Sequence, residues 1–272
     1  MSMVINTNMG AINANRILDA TTRDQSTAME RLTSGLRINK SADDAAGLAV
    51  VTGMTTQIRG TDMAVRNAND GMALIQTMDG AAEEVVNMVQ RIRELAILAM
   101  NDTYSSDNRT QMNTEVTELK NEITRVANTT KFNETPLMNT ETTLSMHVGW
   151  EQGADNKVHV STVDFTGFKL VADATVDSAA NASAAVSMAT AMLTSLQNTR
   201  AKWGALQNRL EYTVANLLNV NENVQAARSQ IWDANFAEES AQLARTQVLQ
   251  QAGMTMLSQA NQNSQNVMSL IR

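Results

Sequence analysis

The feature that most constrains the fold is a long apolar stripe in the last third of the chain. From Trp203 to Ile231, apolar or small side chains recur at steps of three and four, which keeps one face of a helix towards one partner. After an interruption at residues 232–235, a second run has the same spacing. Its members are Leu249, Ala252, Met256, Ala260, Asn263, Val267 and Leu270. Amphipathic helices are marginal in water when alone, so both runs need a partner surface, either in this chain or in other copies of it.

The same periodicity predicts helices through the first half of the chain. One helix covers the N-terminal segment and ends near Gly35, because glycine readily adopts the left-handed conformation of a C-cap. A second is expected over residues 45–78, with Asp43 and Asp44 close to its N-terminus, where negative charge is favourable. A separate helix is expected after Asp79 and Gly80. A further one is capped by Ser106 or Asp107 and extends to about residue 126.

The middle of the chain lacks helical periodicity. Residues 144–150 and 158–160 alternate between apolar and polar side chains around a polar loop, which predicts a β-hairpin. A further short strand is expected over residues 165–170, followed by a loop over residues 173–187. These predictions define the fold class as mainly α, an elongated antiparallel helical bundle or coiled coil of N- and C-terminal segments with a small β-hairpin insert.

Composition and charge exclude several classes of function. The formal net charge of -7 gives no basic footprint for nucleic acid or an anionic membrane. No apolar stretch approaches the ~20 residues of a membrane span, and the N-terminus lacks a basic region followed by an apolar run, which by itself suggests a cytoplasmic protein. The sequence contains no cysteine and no phosphate-loop or nucleophile motif. His147 and His159 lack a third metal ligand, so we expect no metal site. Without these motifs or a metal site, we expect no enzyme activity and no cofactor.

Several longer strings, taken together, resemble bacterial flagellins. They cover about residues 1–140 and 186–272 in the expected order. They are INTN at 5–8, ERLTSGLRIN at 30–39, DDAAGLA at 43–49, QRIRELA at 90–96, RVANTTKFN at 125–133, DANFAEE at 233–239, QQAG at 250–253, and the tail from QANQ at 259–262 through LIR at 270–272. Asn263 and Ser264 depart from the family pattern, in which many members have an apolar residue and a proline.

The resemblance implies a structural subunit that polymerises into the flagellar filament, which the bacterium uses for motility. It implies three regions: a terminal helical pair at 1–45 and 235–272, a helical rod at 46–140 and 186–234, and a short variable insert at 141–185. The terminal regions carry more apolar surface than they can bury alone, so we expect them to fold when subunits assemble. Subunit packing is assigned to Ile5, Met9, Ile12, Leu32, Leu249, Met256, Leu257, Val267 and Leu270.

The resemblance also implies particular partners. Flagellins are exported without a cleaved signal by the flagellar type III apparatus, which reverses the cytoplasmic reading and implies an extracellular filament. Export chaperones, the filament cap and hook-associated proteins are further implied partners. A vertebrate innate-immune receptor is implied to contact Gln90, Arg91, Leu95 and Glu115. Subunit contacts or solvation are the alternative roles of Arg91 and Glu115. A flagellin-like hook–filament junction protein or another coiled-coil adaptor is the alternative function.

Overall fold

The computed structural model describes the backbone of residues 7–269 and the side chains of residues 7–262. Within that range the chain forms six helices and two small antiparallel hairpins, so the predicted mainly helical fold class is confirmed. Ile5 and Leu270 lie outside the described residues. The side chains of Val267, Asn263 and Ser264 also lie outside them.

The helices and strands follow in the order α1, α2, α3, β1, β2, β3, β4, α4, α5 and α6. Their bounds are α1 Met9–Ser34, α2 Ala45–Ala99, α3 Ser106–Thr129, β1 Lys131–Phe132, β2 Thr135–Pro136, β3 Thr143–His147, β4 Lys157–Ser161, α4 Lys169–Asp173, α5 Ala179–Trp232 and α6 Phe236–Ser269. None of the helices within residues 7–269 combines the length and hydropathy needed to cross a membrane.

The chain divides into two compact units. The terminal unit comprises Met1–Thr56 and Asn223–Arg272, and the central unit comprises Gln57–Glu222. In the terminal unit, α1 packs along α6. In the central unit, parts of α2 and α5 pack with α3, α4 and both hairpins.

The second helix is longer than the sequence pattern predicts. The expected break at Asp79 and Gly80 is wrong, because α2 continues without interruption from Ala45 to Ala99. Glycine lowers helix stability by only ~1 kcal/mol relative to alanine, and tertiary packing readily outweighs that cost. Here the fully buried face continues across the glycine, through Ile75, Met78, Ala82 and Val85.

Helix ends follow the predicted chemistry with small shifts. Gly35 caps α1 with a φ of 71° and donates its N–H to Arg31 O, as predicted. Asp44 accepts a hydrogen bond from Gly47 N at the start of α2. The cap of α3 is Ser105, one residue before the predicted Ser106, and its hydroxyl accepts from Asn108 N.

The central hairpin is confirmed, and its neighbours are not. Strands β3 and β4 pair antiparallel, with Leu144 opposite Val160 and Met146 opposite Val158 on the inner face. The strand predicted at 165–170 is wrong, because residues 165–168 form a turn and the short helix α4 begins at Lys169. The predicted loop at 173–187 is also too long, since α5 begins at Ala179. The small β1–β2 hairpin was not predicted.

The core of the central unit is built mainly from the inner faces of α2, α3 and α5. Trp203 and Leu210 from the predicted stripe are buried in it, with 2% and 0% exposure. The inner face of the hairpin and residues around α4 complete this core. Its largest fully buried side chains include Phe165, Ile75, Met78, Ile92, Ile123, Leu137, Met138, Leu170, Met192, Leu196 and Leu210.

The uninterrupted α2 generates a paired prediction. Nothing lies within 4 Å of a Cβ added at Gly80, so Gly80→Ala should raise the free energy of unfolding by about 0.5–1 kcal/mol through lower backbone entropy in the unfolded state. A Cβ added at Gly60 would lie 2.9 Å from Trp150 Cβ and 3.4 Å from its backbone Cα, which cannot rotate away, so Gly60→Ala should lower stability instead. Thermal unfolding of both variants checks this. A helix broken at residues 79–80 would show no gain from Gly80→Ala.

Candidate assembly and recognition surfaces

The terminal unit is built on an antiparallel pair of helices. Three contacts set the register of α1 against α6. Asn8 donates its side-chain amide N–H to Ala260 O at 3.0 Å, and Arg31 forms a 2.9 Å ion pair with Glu239. Between them Leu18 packs close to Gly253, since a Cβ added at this glycine would lie 3.3 Å from Leu18 Cδ1. The residue numbers rise on one helix as they fall on the other, which establishes the antiparallel orientation.

The facing sides of this pair follow a regular heptad spacing. On both helices the least exposed residues recur at steps of four and three, as in a coiled coil. On α1 they are Ala11, Ala14, Leu18, Thr21, Gln25, Ala28 and Leu32; on α6 they are Glu239, Leu243, Thr246, Gln250, Gly253, Leu257 and Ala260. Most of these side chains are small or polar, so the seam within one subunit buries little apolar area.

Nine large apolar side chains of α1 and of the described part of α6 point away from that seam. They remain between 51% and 71% exposed, although each would favour burial by about 1.5–3 kcal/mol. They are Met9, Ile12, Ile17, Met29, Phe236, Val248, Leu249, Met254 and Met256. Apolar surface of this extent usually marks an interaction site.

The residues assigned to subunit packing divide between the two faces. Met9, Ile12, Leu249 and Met256 lie on the exposed faces, with 66%, 53%, 51% and 66% exposure. Leu32 and Leu257 are half-buried on the inner seam. Sequence spacing did not distinguish these faces, because both of them repeat at three and four residues.

A hydrogen-bonded joint links the segment after α1 to the end of α5. Arg37 N donates to Trp232 O at 2.7 Å, and Ala234 N donates to Gly35 O at 2.9 Å. The indole N–H of Trp232 donates to Ile38 O at 2.9 Å. The Arg228 guanidinium lies 5.5 Å from the centroid of the Trp232 ring. Backbone and side-chain hydrogen bonds therefore hold the segment after α1 against the end of α5.

The turn between α1 and α2 is fixed by charge-assisted hydrogen bonds. The Asp43 carboxylate accepts from Lys40 N at 2.9 Å and from Asn39 N at 3.0 Å. These bonds to the backbone N–H groups of Lys40 and Asn39 lower the pKa of Asp43. A hydrogen bond to Glu30 raises the pKa of Lys40 on the same turn.

The four residues assigned to receptor contact lie on α2 and α3 of the central unit. Gln90, Arg91 and Glu115 are exposed, whereas Leu95 is buried with 4% exposure. Arg91 Nε donates to Glu115 at 2.8 Å and Nη1 donates to Glu94 at 3.3 Å. The hydrogen bond to Glu115 raises the pKa of Arg91. This network holds a charged patch above the core that contains Leu95.

The two histidines are not directly opposite each other across the hairpin. His147 is opposite Lys157, and His159 is opposite Ser145. Within the described part of the chain, no group of three or more histidine or acidic side chains is arranged to hold a metal ion.

Comparisons with known proteins identify the class to which this architecture belongs. Residues 5–143 match the bacterial flagellin N-terminal helical region, and residues 186–271 match the bacterial flagellin C-terminal helical region. The chain therefore belongs to the bacterial flagellin family, a family of structural proteins.

Individual relatives agree with this assignment. A flagellin from Halalkalibacterium halodurans is 42% identical, with 99% of this chain and 100% of the relative covered. Flagellin FlaB1 of Treponema pallidum is 37% identical, and a flagellar filament core protein of Brachyspira hyodysenteriae is 36% identical, with the same coverage. The crystal structure of Bacillus cereus flagellin shares the fold, with a TM-score of 0.50 at 24% identity over 56% of this chain and 88% of that one.

The lowered pKa of Asp43 predicts a local response to acid. A carboxylate whose pKa is lower in the folded state stabilises the turn above its unfolded pKa of about 3.9, and this contribution is lost as the pH falls through the folded value. Hydrogen-exchange protection of the Asn39 and Lys40 amides should therefore fall as the pH drops below about 4. Asp43→Asn should lower this protection at pH 6 and remove its pH dependence. Constant protection of both amides in the unsubstituted protein from pH 6 to pH 2.5 would contradict this assignment.

Proposed function

We propose that this chain is the structural subunit of a bacterial flagellar filament and that it assembles through the exposed faces of α1 and α6. The supporting observation is the contrast between the two sides of this helix pair. The seam within the subunit is lined mostly by small and polar residues, while nine large apolar side chains of residues 7–262 remain on the outside. Neighbouring copies of the same chain would bury these side chains and remove their cost in water.

The terminal regions at 1–45 and 235–272 then supply the packing between subunits. We infer that they complete their folding when neighbours cover them, since their own seam buries too little apolar area to hold both helices firmly. Residues 46–140 and 186–234 form the helical rod, and residues 141–185 form the solvent-facing insert. A heterologous contact that repeats without closing into a ring produces a helical polymer.

Family membership supports the remaining parts of this proposal. The chain leaves the cell through the flagellar export apparatus without a cleaved signal, assisted by an export chaperone. It meets hook-associated proteins and the filament cap, and it acts as a structural protein rather than an enzyme. Electron microscopy separates this function from the junction-protein or adaptor alternative. Long helical filaments support the filament subunit, whereas discrete oligomers support the alternative.

The exposed position of Leu249 generates an assembly prediction. Leu249→Gln should raise the critical concentration for filament growth about tenfold or more, because a buried leucine contributes about 1.5–3 kcal/mol. The thermal midpoint of the monomer should not change, since this side chain is 51% exposed there. Sedimentation of assembled protein measures the critical concentration.

Leu18→Gln is the matched control on the inner seam. Leu18 packs close to α6 at Gly253, so this variant should loosen the α1–α6 pair in the monomer itself, which faster proteolysis of α1 and α6 would show, whereas Leu249→Gln should leave that proteolysis unchanged. Filaments of Leu249→Gln that grow at the same critical concentration as the unsubstituted protein would contradict the proposed packing surface.

We also propose that the patch around Arg91 is recognised by the vertebrate innate-immune flagellin receptor. Gln90, Arg91 and Glu115 are accessible on one surface, and Arg91 is held in place by Glu115. Leu95 supports the patch from below, because it is buried in the core of the central unit. A guanidinium fixed in this way loses less side-chain entropy when it binds.

This proposal predicts that substitution of Arg91, and not of Arg125, reduces signalling by the receptor. Arg91→Ala should weaken receptor activation about tenfold or more, because arginine is a frequent hot-spot residue at interfaces. The Arg91 side chain is 51% exposed, so the fold should persist. Arg125→Ala is the control, because Arg125 is 61% exposed and also forms an ion pair with a nearby glutamate. Equal responses to both variants in a receptor reporter assay would count against recognition at Arg91.

A further inference from the structure

A cleft in the central unit lies between α5 and the last residues of β4. Its volume is about 540 Å³, and it is lined by Trp203, Leu206, His159 and Ser161 among others. Trp203 is almost fully buried, and its indole N–H donates to Ser161 O at 3.1 Å. This hydrogen bond fixes α5 against β4, so the cleft has rigid walls.

Two cations project from one face of α5 into the lining of this cleft. Lys202 and Arg209 are seven residues apart, which places them on the same side of the helix about 10 Å from each other. Both are exposed, and neither side chain forms an ion pair or hydrogen bond with another residue of the described chain. Glu141 also lines the cleft but is not paired with either cation. The lining therefore presents two available positive charges on a protein with a net charge of -7.

The loop at the tip of the β3–β4 hairpin has the opposite charge. Residues 151–155 are all exposed, and they include the carboxylates of Glu151 and Asp155. Neither carboxylate forms an ion pair or side-chain hydrogen bond within residues 7–262. The loop is narrow because it connects two adjacent antiparallel strands.

The tip and the cleft are separated along the same hairpin. Trp150, beside the tip, packs against Gly60 of α2, whereas Met146 and Leu210 meet α2 at Gly71. Eleven residues of helix correspond to about 16 Å, so the acidic tip is too far away to neutralise Arg209 of its own chain. The acidic tip and the basic cleft are complementary in charge but lie apart on the same subunit. Such an arrangement favours a contact in which the tip of one copy meets the cleft of the next.

We propose that the cleft formed by Lys202, Arg209 and His159 docks the acidic hairpin tip of a second copy of the chain. Glu151 and Asp155 of that copy would pair with the two cations, and Leu206 would contact the intervening residues of the loop. This contact rests on the proposed filament function and adds to it a polar attachment point in the central unit, distinct from the apolar packing of α1 and α6.

Charge exchange tests the contact. The double variants Lys202→Glu with Arg209→Glu, and Glu151→Lys with Asp155→Lys, should each raise the critical concentration for filament growth about fivefold or more. A chain carrying all four substitutions has the original net charge and should recover most of the loss. Normal growth of either double variant, or a fourfold variant no better than the doubles, would overturn the proposal.

A neutralised pair controls for net charge. Lys202→Gln with Arg209→Gln changes the charge by the same amount as Gln197→Glu with Asn208→Glu, which lie on the exposed opposite side of α5. Only the first pair should impair growth. Equal impairment by both pairs would show a general charge effect and overturn the specific contact.

A measurement on the monomer separates this inference from the filament proposal. A synthetic peptide of residues 149–156 is titrated into isotope-labelled monomer, and the indole N–H resonance of Trp203 is followed by NMR. We expect a saturable shift that disappears in the Lys202→Gln, Arg209→Gln variant. No shift at millimolar peptide would overturn the docking contact, even if filaments grow normally. If the peptide shifts the resonance but the protein forms no filaments, the docking contact is supported and the proposed filament function is contradicted.

Discussion

The structure of the terminal unit depends on a seam that is too weakly apolar for the helices it joins. Alanine, glycine, threonine and glutamine occupy most of the facing positions of α1 and α6, so the helices approach closely but bury little apolar area. The Arg31–Glu239 ion pair, whose side chains are 31% and 12% exposed, and the joint at Trp232 set the register and the crossing. What remains unburied is a set of large apolar side chains on the opposite faces.

The central unit differs from the terminal unit in how much of its apolar surface is buried. Its stripe of Trp203, Leu206 and Leu210 packs into a continuous core with α2, α3 and the hairpin, and Trp203 is only 2% exposed. The Arg200–Asp79 pair, at 2.6 Å, also links α5 to α2. This unit therefore buries a continuous core within one chain, although Met63, Ile97 and Leu218 among others stay exposed, whereas the seam of the terminal unit buries little apolar area. This difference in core packing is the physical basis for proposing the terminal unit, rather than the central unit, as the part that packs between subunits.

The sequence predicted the helices well where one apolar stripe dominates, and less well where two stripes compete. In α5 the spacing from Trp203 identified the buried face directly. In α6 both faces repeat at three and four, so Leu249 and Met256 could not be distinguished from the inner Leu257 by spacing alone. Asp79 and Gly80 suggested a break that tertiary packing overrides. The turn at Asn133 and Glu134 was missed because the second residue is not the glycine that a positive φ, here 67°, usually favours.

Methionine oxidation tests the central claim most directly, because the outward faces carry Met9, Met29, Met254 and Met256, all at least 53% exposed, while Met78 and Met138 are fully buried. Mild peroxide treatment followed by mass spectrometry gives the oxidation rate of each methionine in the monomer and in the assembled filament. The four outward methionines should oxidise rapidly in the monomer and become protected in the filament, with Met78 and Met138 protected in both. Equal oxidation of the four outward methionines in the two states would contradict the assignment of these faces to subunit packing.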